Sequence, residues 1–297
     1  MKRIGILRGG TGENYGASLR QGGELILYLN ENLADKYKPV DILIDQDYIW
    51  HFGGLPVNPG DLVNKVDVVW NTSHPSFSNI LESLSMPHVS PSSFSGILDG
   101  SKEMLRDHMK KINISMPRFI LLPVYQADFD GPRKKYAVKK AKEVFEKFGS
   151  PWVVKSFTPD SSMGVHVAKT YPELVEAIED GVKHEKSILI EELIMGKVAP
   201  VHAVAGFRGE DVYVFSLGNF SGDEKEKLIS VAKDLYRHIG ANHYLKSNFV
   251  ITPRGKVSLL GIERFPDLRA DSHFRQACEN VGVKMHNVVE HILERAF

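Results

Sequence analysis

Trp152-Val153-Val154-Lys155-Ser156-Phe157 runs on into Thr158-Pro159-Asp160-Ser161-Ser162-Met163-Gly164-Val165. The first part reads as an apolar strand closed by a lysine. The second reads as a small-residue loop that leads into another strand, Val165 to Lys169. A lysine at the end of a buried strand is costly unless an anion meets it. A loop of Ser, Asp and Gly can turn backbone N–H groups toward phosphate oxygens. Together they point to a nucleotide phosphate grip built from β-structure. No Gly-x-x-x-x-Gly-Lys-Ser/Thr string occurs, so this is not a Walker loop. A plain hairpin with a snorkelling lysine fits the same residues.

The flanking sequence alternates strands and helices. Arg3 to Arg8 is a buried-type strand, followed by the turn Gly9-Gly10-Thr11-Gly12 and an amphipathic helix over Ala17 to Leu33. Asp41 to Ile44 and Val66 to Trp70 read as further strands, an order that argues for a parallel sheet covered by helices. The glycines do not fit Gly-x-Gly-x-x-Gly, which argues against a dinucleotide site. Helices are expected over Ser101 to Ile112 and Val138 to Phe148. Capping boxes at Thr170/Glu173 and Ser221/Glu224 open two more. Ser187 to Glu191 is a strand, and Tyr244 to Thr252 and Lys256 to Glu263 are two long strands around Pro253-Arg254-Gly255.

Composition narrows the class. A chain of 297 residues with 42% apolar and 25% charged residues has room for two or three packed domains. Net charge is zero, so no overall basic field favours nucleic acid or an anionic membrane. The cluster Arg133-Lys134-Lys135 with Lys139, Lys140 and Lys142 is interleaved with apolar residues at helical spacing, as on a solvated helix face. One cysteine, Cys278, excludes an internal disulfide and lacks an activating neighbour in sequence. Met1-Lys2-Arg3 leads straight into a strand, unlike a signal peptide, and no apolar run is long enough for a bilayer. A cytoplasmic protein is the expectation.

In this order the motifs resemble the ATP-grasp fold and, within it, the D-alanine–D-alanine ligase family, over nearly the whole chain. Ile4 to Thr11 with Ser18-Leu19 is similar to the family's first strand and Gly-Gly-Thr turn. Leu81 to Lys102 is similar to its passage into the ATP-binding region. Lys102 and Lys155 fall on the two nucleotide-binding lysines, and Ser161-Ser162-Met163-Gly164 on the lid loop. Ile188 to Gly196 resembles the adenine hinge, and Leu259 to Glu263 the strand with a metal-binding glutamate. The resemblance implies an α/β chain, α+β by block. It would have an N-terminal parallel-sheet domain, residues 1–94, and two β-rich ATP-binding domains, residues 95–186 and 187–297. It implies ATP bound by Lys102, Lys155, Ser161, Ser162, Glu191, Glu192, Leu193 and Ile194. Lys246, Ser161 and Ser162 would act in catalysis, and Glu263 and Asn248 would hold Mg²⁺ at a weakened site. The implied partner is a small amino-acid or peptide substrate, with no nucleic acid and no membrane; a homodimer stays open.

Several positions depart from the family pattern. Its Arg-x-Asp becomes Lys246-Ser247-Asn248, and the asparagine of its Glu-x-Asn becomes Phe265. Glu263 could instead pair with Arg264 or Arg269, while Asp267 or Asp271 could restore metal charge. Asn71-Thr72-Ser73-His74-Pro75 stands where the family has a His-Gly-x-x-Gly-Glu-Asp-Gly signature. The glutamate that would hold the first ammonium falls on or near Asn14, with Glu13 adjacent, and Val198 replaces the acidic ribose contact. The tyrosine-bearing cover loop between Phe215 and Ser221 is missing. His74, His202, His238, His243 and His273 show no metal spacing and read as structural. Three functions therefore stand: an active ATP-dependent carboxylate–amine ligase working through an acylphosphate; a non-catalytic nucleotide-binding relative acting as sensor or assembly subunit; and a plain α/β binding protein of similar architecture.

Overall fold

In the computed structural model, every residue is described except positions 13, 93, 95, 97, 99, 100, 158–161 and 216–217. Two compact units emerge. Met1–Ser115 joins Lys197–Phe297 in one, and Met116–Gly196 forms the other.

The first unit opens with strand β1 (Lys2–Gly9) and helix α1 (Tyr15–Asn32). β1 pairs in parallel with β2 (Tyr37–Ile44) and with β5 (Val68–Asn71), which pairs in parallel with β6 (His88–Val89). Ile4, Ile6 and Leu7 of β1 are fully buried, as befits a central parallel strand. Two short strands, β3 (Trp50–Phe52) and β4 (Leu55–Val57), extend the other edge antiparallel. Gly53 and Gly54 join them with φ of 58° and 82°, a turn only glycine takes without strain. Helix α2 (Phe77–Ser83) follows β5, and α3 (Lys102–Lys111) starts at Ser101, whose hydroxyl accepts the Met104 N–H.

The second unit holds a four-stranded antiparallel sheet in the order β7-β10-β8-β9. Its strands are β7 (Phe119–Leu122), β8 (Trp152–Ser156), β9 (His166–Ala168) and β10 (Ile188–Glu192). Between them lie α4 (Ala127–Asp130), α5 (Arg133–Lys147) and α6 (Tyr171–Lys183). The expected capping box at Thr170/Glu173 opens α6. Trp152, Val154, Leu174, Ile178 and Ile190 form the core between the sheet and the helices. Lys134, Lys135, Lys139 and Lys142 are exposed on α5, the solvated face read from their spacing.

The chain then returns to the first unit. Strands β11 (Lys197–Ala205), β12 (Val212–Val214), β13 (Tyr244–Ile251) and β14 (Val257–Glu263) form an antiparallel sheet, order β12-β11-β13-β14. Helix α7 (Gly222–His238) starts at the Ser221/Glu224 capping box, and α8 (His273–Glu279) and α9 (Met285–Glu294) close the chain. One hydrophobic core runs from Ile4, Leu25, Leu29 and Trp70 to Val204, Phe215, Phe274, Val288 and Ile292. That shared core makes the first and last blocks a single unit. The divisions drawn by sequence at 94/95 and 186/187 therefore differ from the unit boundaries. Strand β10, read as the opening of a third domain, lies between β7 and β8. Helix α3, read as the start of a central domain, belongs with the terminal blocks. Among the described residues, no helix is long and apolar enough to cross a membrane.

Candidate functional site

In the Met116–Gly196 unit, the lysine strand β8 pairs antiparallel with β9, the strand that follows the small-residue loop in sequence. Lys155 lies opposite Leu189 of β10, and Glu191 stands two residues further along on the same face. Lys155 Nζ is 2.7 Å from Glu191 Oε2, and the glutamate side chain is only 5% exposed. A buried carboxylate so close to an ammonium is held as a pair. Glu192 points elsewhere: the Arg118 guanidinium donates to both its oxygens, at 2.8 and 3.1 Å. The Leu193 N–H donates to the Pro151 carbonyl, and Ile194 is half-buried beyond it. The Ser162 hydroxyl lies 2.8 Å from His184 Nδ1, while Ser161 lies outside the described residues.

The other expected residues meet on the C-terminal sheet. Lys246 of β13 is the register partner of Glu263 of β14. Lys246 Nζ donates to Glu263 Oε1 at 2.9 Å, and Asn248 Nδ2 donates to the same oxygen at 2.8 Å. Lys102, at the first turn of α3, is 7% exposed, and its ammonium donates to the Leu260 carbonyl of β14 at 2.9 Å. A buried ammonium needs such an acceptor. Lys102, Lys246, Asn248 and Glu263 therefore gather around one strand. Lys155 and Glu191 gather in the other unit.

This arrangement corrects two alternatives. The cation paired with Glu263 is Lys246, while the Arg269 guanidinium is bound to Asp267 at 2.7 and 2.9 Å. That guanidinium holds the Asp267 carboxyl below its ordinary range, so Asp267 is committed. Mg²⁺ prefers hard, anionic oxygen ligands. Asn248 presents its amide N–H₂, rather than its oxygen, to Glu263. Phe265, where the family has an asparagine, packs edge-on against Trp70 with ring centroids 6.0 Å apart. Among the described residues, no group of three His, Cys, Asp or Glu side chains could hold a metal ion. One carboxylate already carrying an ammonium and an amide does not fit a protein-built Mg²⁺ centre.

Two histidines read as structural, His202 and His273, stand with Tyr244 beside Lys246. His202 of β11 is the register partner of Lys246 across the strand pair. Its Nδ1 is 2.7 Å from the Tyr244 hydroxyl, and its Nε2 is 2.8 Å from His273 Nδ1. Burial drives His202 down to about 3 and holds Tyr244 well above the ordinary phenol range. No spacing in the sequence brings these three together; only strand register could have signalled it. Cys278 is buried, which pushes its thiol up to about 12 and agrees with an inert role.

The family described as D-ala D-ala ligase C-terminus matches residues 109–219. The D-alanine–D-alanine ligase of Clostridium botulinum is 23% identical, covering 99% of this chain and 98% of its own length. Among solved structures, the VanG D-Ala:D-Ser ligase from Enterococcus faecalis superposes with a TM-score of 0.72 at 16% identity. It covers 100% of this chain and 99% of that one. The D-alanine–D-alanine ligase from Bacillus anthracis, in its complex with ATP, gives 0.68 at 18% identity, covering 100% and 97%. With low identity sustained from end to end, the chain has the ATP-grasp fold and is similar over its whole length to D-alanine–D-alanine ligases.

Proposed function

We propose that the protein binds ATP and uses it to join a small carboxylic acid to an amine through an acylphosphate. The observation that carries this reading is the Lys155–Glu191 pair on adjacent strands of the hinge sheet, at 2.7 Å. In this reading Lys155 and Lys102 contact phosphate oxygens, Glu191 with the backbone of Leu193 and Ile194 meets the adenine, and Ser162 belongs to the lid loop. The Lys155 side chain is a third exposed, and its ammonium is a charge that phosphate would share with Glu191. Lys246 serves the reacting end, where a cation steadies developing negative charge. The substrate is a small amino acid or peptide, and the working compartment is the cytoplasm, where ATP is plentiful. Mg²⁺ would come with ATP and supply positive charge at its phosphates; this chain would offer it only Glu263, which already accepts from Lys246 and Asn248.

The test is phosphate release by purified protein given ATP, Mg²⁺ and a panel of D- and L-amino acids. Release that depends on one of the amino acids supports ligation. Absence of ATP binding by calorimetry would overturn the reading. A second reading, a nucleotide-binding relative without turnover, is favoured by Asn248 and Phe265 at the metal end. It predicts ATP binding with no amino-acid-dependent release.

A further inference from the structure

His202, Lys246 and Glu263 are successive register partners, so they form a row across one face of the C-terminal sheet. Tyr244 and Asn248 flank Lys246 two residues away on the same face of β13. Tyr244 and His202 are buried, at 4% and 2% exposure, whereas His273 is exposed. The His202 and His273 rings stack, with centroids 5.1 Å apart and planes within 23°. The two bonds from Tyr244 to His202 and from His202 to His273 thus form a chain from the core to the surface beside Lys246.

Hydrogen bookkeeping gives the chain a direction. A phenol carries one hydrogen, and a neutral imidazole carries one on one of its two nitrogens. If Tyr244 donates to His202 Nδ1, the His202 hydrogen sits on Nε2 and is donated to His273 Nδ1. His273 then carries its hydrogen on Nε2, the nitrogen away from the core. The opposite direction leaves the Tyr244 hydrogen in the core with no acceptor among the described residues, the cost of an unpaired buried donor. A protonated His273 would also set Nδ1–H against the Nε2–H of His202, so the chain favours a neutral ring. The nearby anions Glu263 and Asp267 are already taken by Lys246 and Arg269. The Nε2 of His273, at the exposed end of this chain of bonds, has no protein acceptor among the described residues.

We propose that His273 is a fixed neutral hydrogen-bond donor to an anionic oxygen of the ligand, and that Tyr244 and His202 are positioning residues that set its tautomer. A neutral donor next to Lys246 adds a directed contact without a second full charge to desolvate. The anion is a carboxylate or a phosphoryl oxygen. Only this choice of ligand rests on the ligase reading.

Long-range ¹H–¹⁵N correlation of histidine-labelled protein at neutral pH reads the tautomer directly. The expected pattern has His273 bare at Nδ1 and protonated at Nε2, becoming averaged in Tyr244→Phe, which keeps the ring and loses the hydroxyl. A wild-type His273 protonated at Nδ1, or a pattern unmoved by Tyr244→Phe, overturns the relay. Saturating D-alanine and inorganic phosphate are then added separately. A shift of the His273 Nε2 signal with D-alanine alone names a carboxylate, and with phosphate alone a phosphoryl oxygen. No shift with either overturns the donor role. Whichever anion binds should bind about tenfold more weakly to His273→Phe and near wild type to His273→Gln, whose amide both accepts and donates. Equal loss in the two variants overturns the directed contact. A failure of the ligase reading is seen separately, as absent ATP binding with the tautomer pattern intact.

Discussion

Asn248 donates its side-chain amide to Glu263 Oε1 at 2.8 Å, the same oxygen that receives the Lys246 ammonium. An oxygen with two donors has little left for a cation, and the neutral amide adds no charge to attract one. Asn248→Asp replaces a donor with a second carboxylate facing Glu263. We expect Mg²⁺-dependent ATP binding to tighten several-fold in this variant, and binding without Mg²⁺ to stay the same or weaken. Calorimetry with and without the metal checks both. Equal affinities in wild type and variant, with Glu263→Ala also silent, would remove metal from this end of the sheet.

Lys155→Ala should lower ATP affinity about tenfold or more, because a charge-assisted contact contributes roughly 1.5 to 3 kcal/mol. It should also destabilise the Met116–Gly196 unit, since a largely buried Glu191 loses its ammonium. Adding Glu191→Gln removes that buried charge. The double variant should regain denaturant resistance without regaining affinity through Lys155. If it recovers both, the lysine serves the fold alone.

Ligation of two D-alanines should be weak. The segment between Phe215 and Ser221 carries no tyrosine-bearing cover loop, and the His-Gly-x-x-Gly-Glu-Asp-Gly signature is replaced around His74. An acylphosphate without cover is open to water. Phosphate release with D-alanine should therefore exceed dipeptide formed when both are measured in one reaction. Stoichiometric, saturable dipeptide would contradict this.

Acid should weaken the fold before any carboxylate titrates. Burial holds His202 down to about 3 and His243 to about 4, against about 6.5 in an unfolded chain. Above pH 6.5 neither state is protonated at these rings and they contribute nothing. Below it the unfolded chain takes up protons that the folded one refuses, so stability falls until the folded rings titrate near pH 4 and 3. At pH 5 the loss is about 2 kcal/mol for each ring. Denaturant midpoints at pH 7 and pH 5 measure it, and His202→Gln should remove about half of the drop from this pair.

Gly9→Ala should be far worse than Gly12→Ala. Both glycines have positive φ, 91° and 81°. A Cβ on Gly9 would lie 2.1 Å from the Ile44 carbonyl oxygen, whereas one on Gly12 meets nothing within 4 Å. We expect a loss of about 1 kcal/mol at Gly12 from strain alone and clearly more at Gly9. Thermal unfolding of the two variants compares them.

Local chemistry in the chain determined most elements. Strand β1, the β8–β9 pair, the capped starts of α6 and α7, and the β13–β14 pair all follow from period, caps and turn residues within a short window. The β3–β4 hairpin escaped because its strands are three residues each and one contains Pro56, though Gly53-Gly54 marks its turn. Motif order also carried the resemblance to D-alanine–D-alanine ligases, since Lys102, Lys155, Glu191 and Glu263 lie along the chain in that family's order. Tertiary structure alone decided what those residues touch. Lys246 rather than Arg269 neutralises Glu263, and β10 joins β7 and β8 instead of opening a third domain. His202 meets Tyr244 and His273 only because antiparallel register sets β11 beside β13 and core packing brings α8 against them. Register aligns residues far apart in the chain, and a side chain's charge partner is whichever group that alignment brings within hydrogen-bond reach.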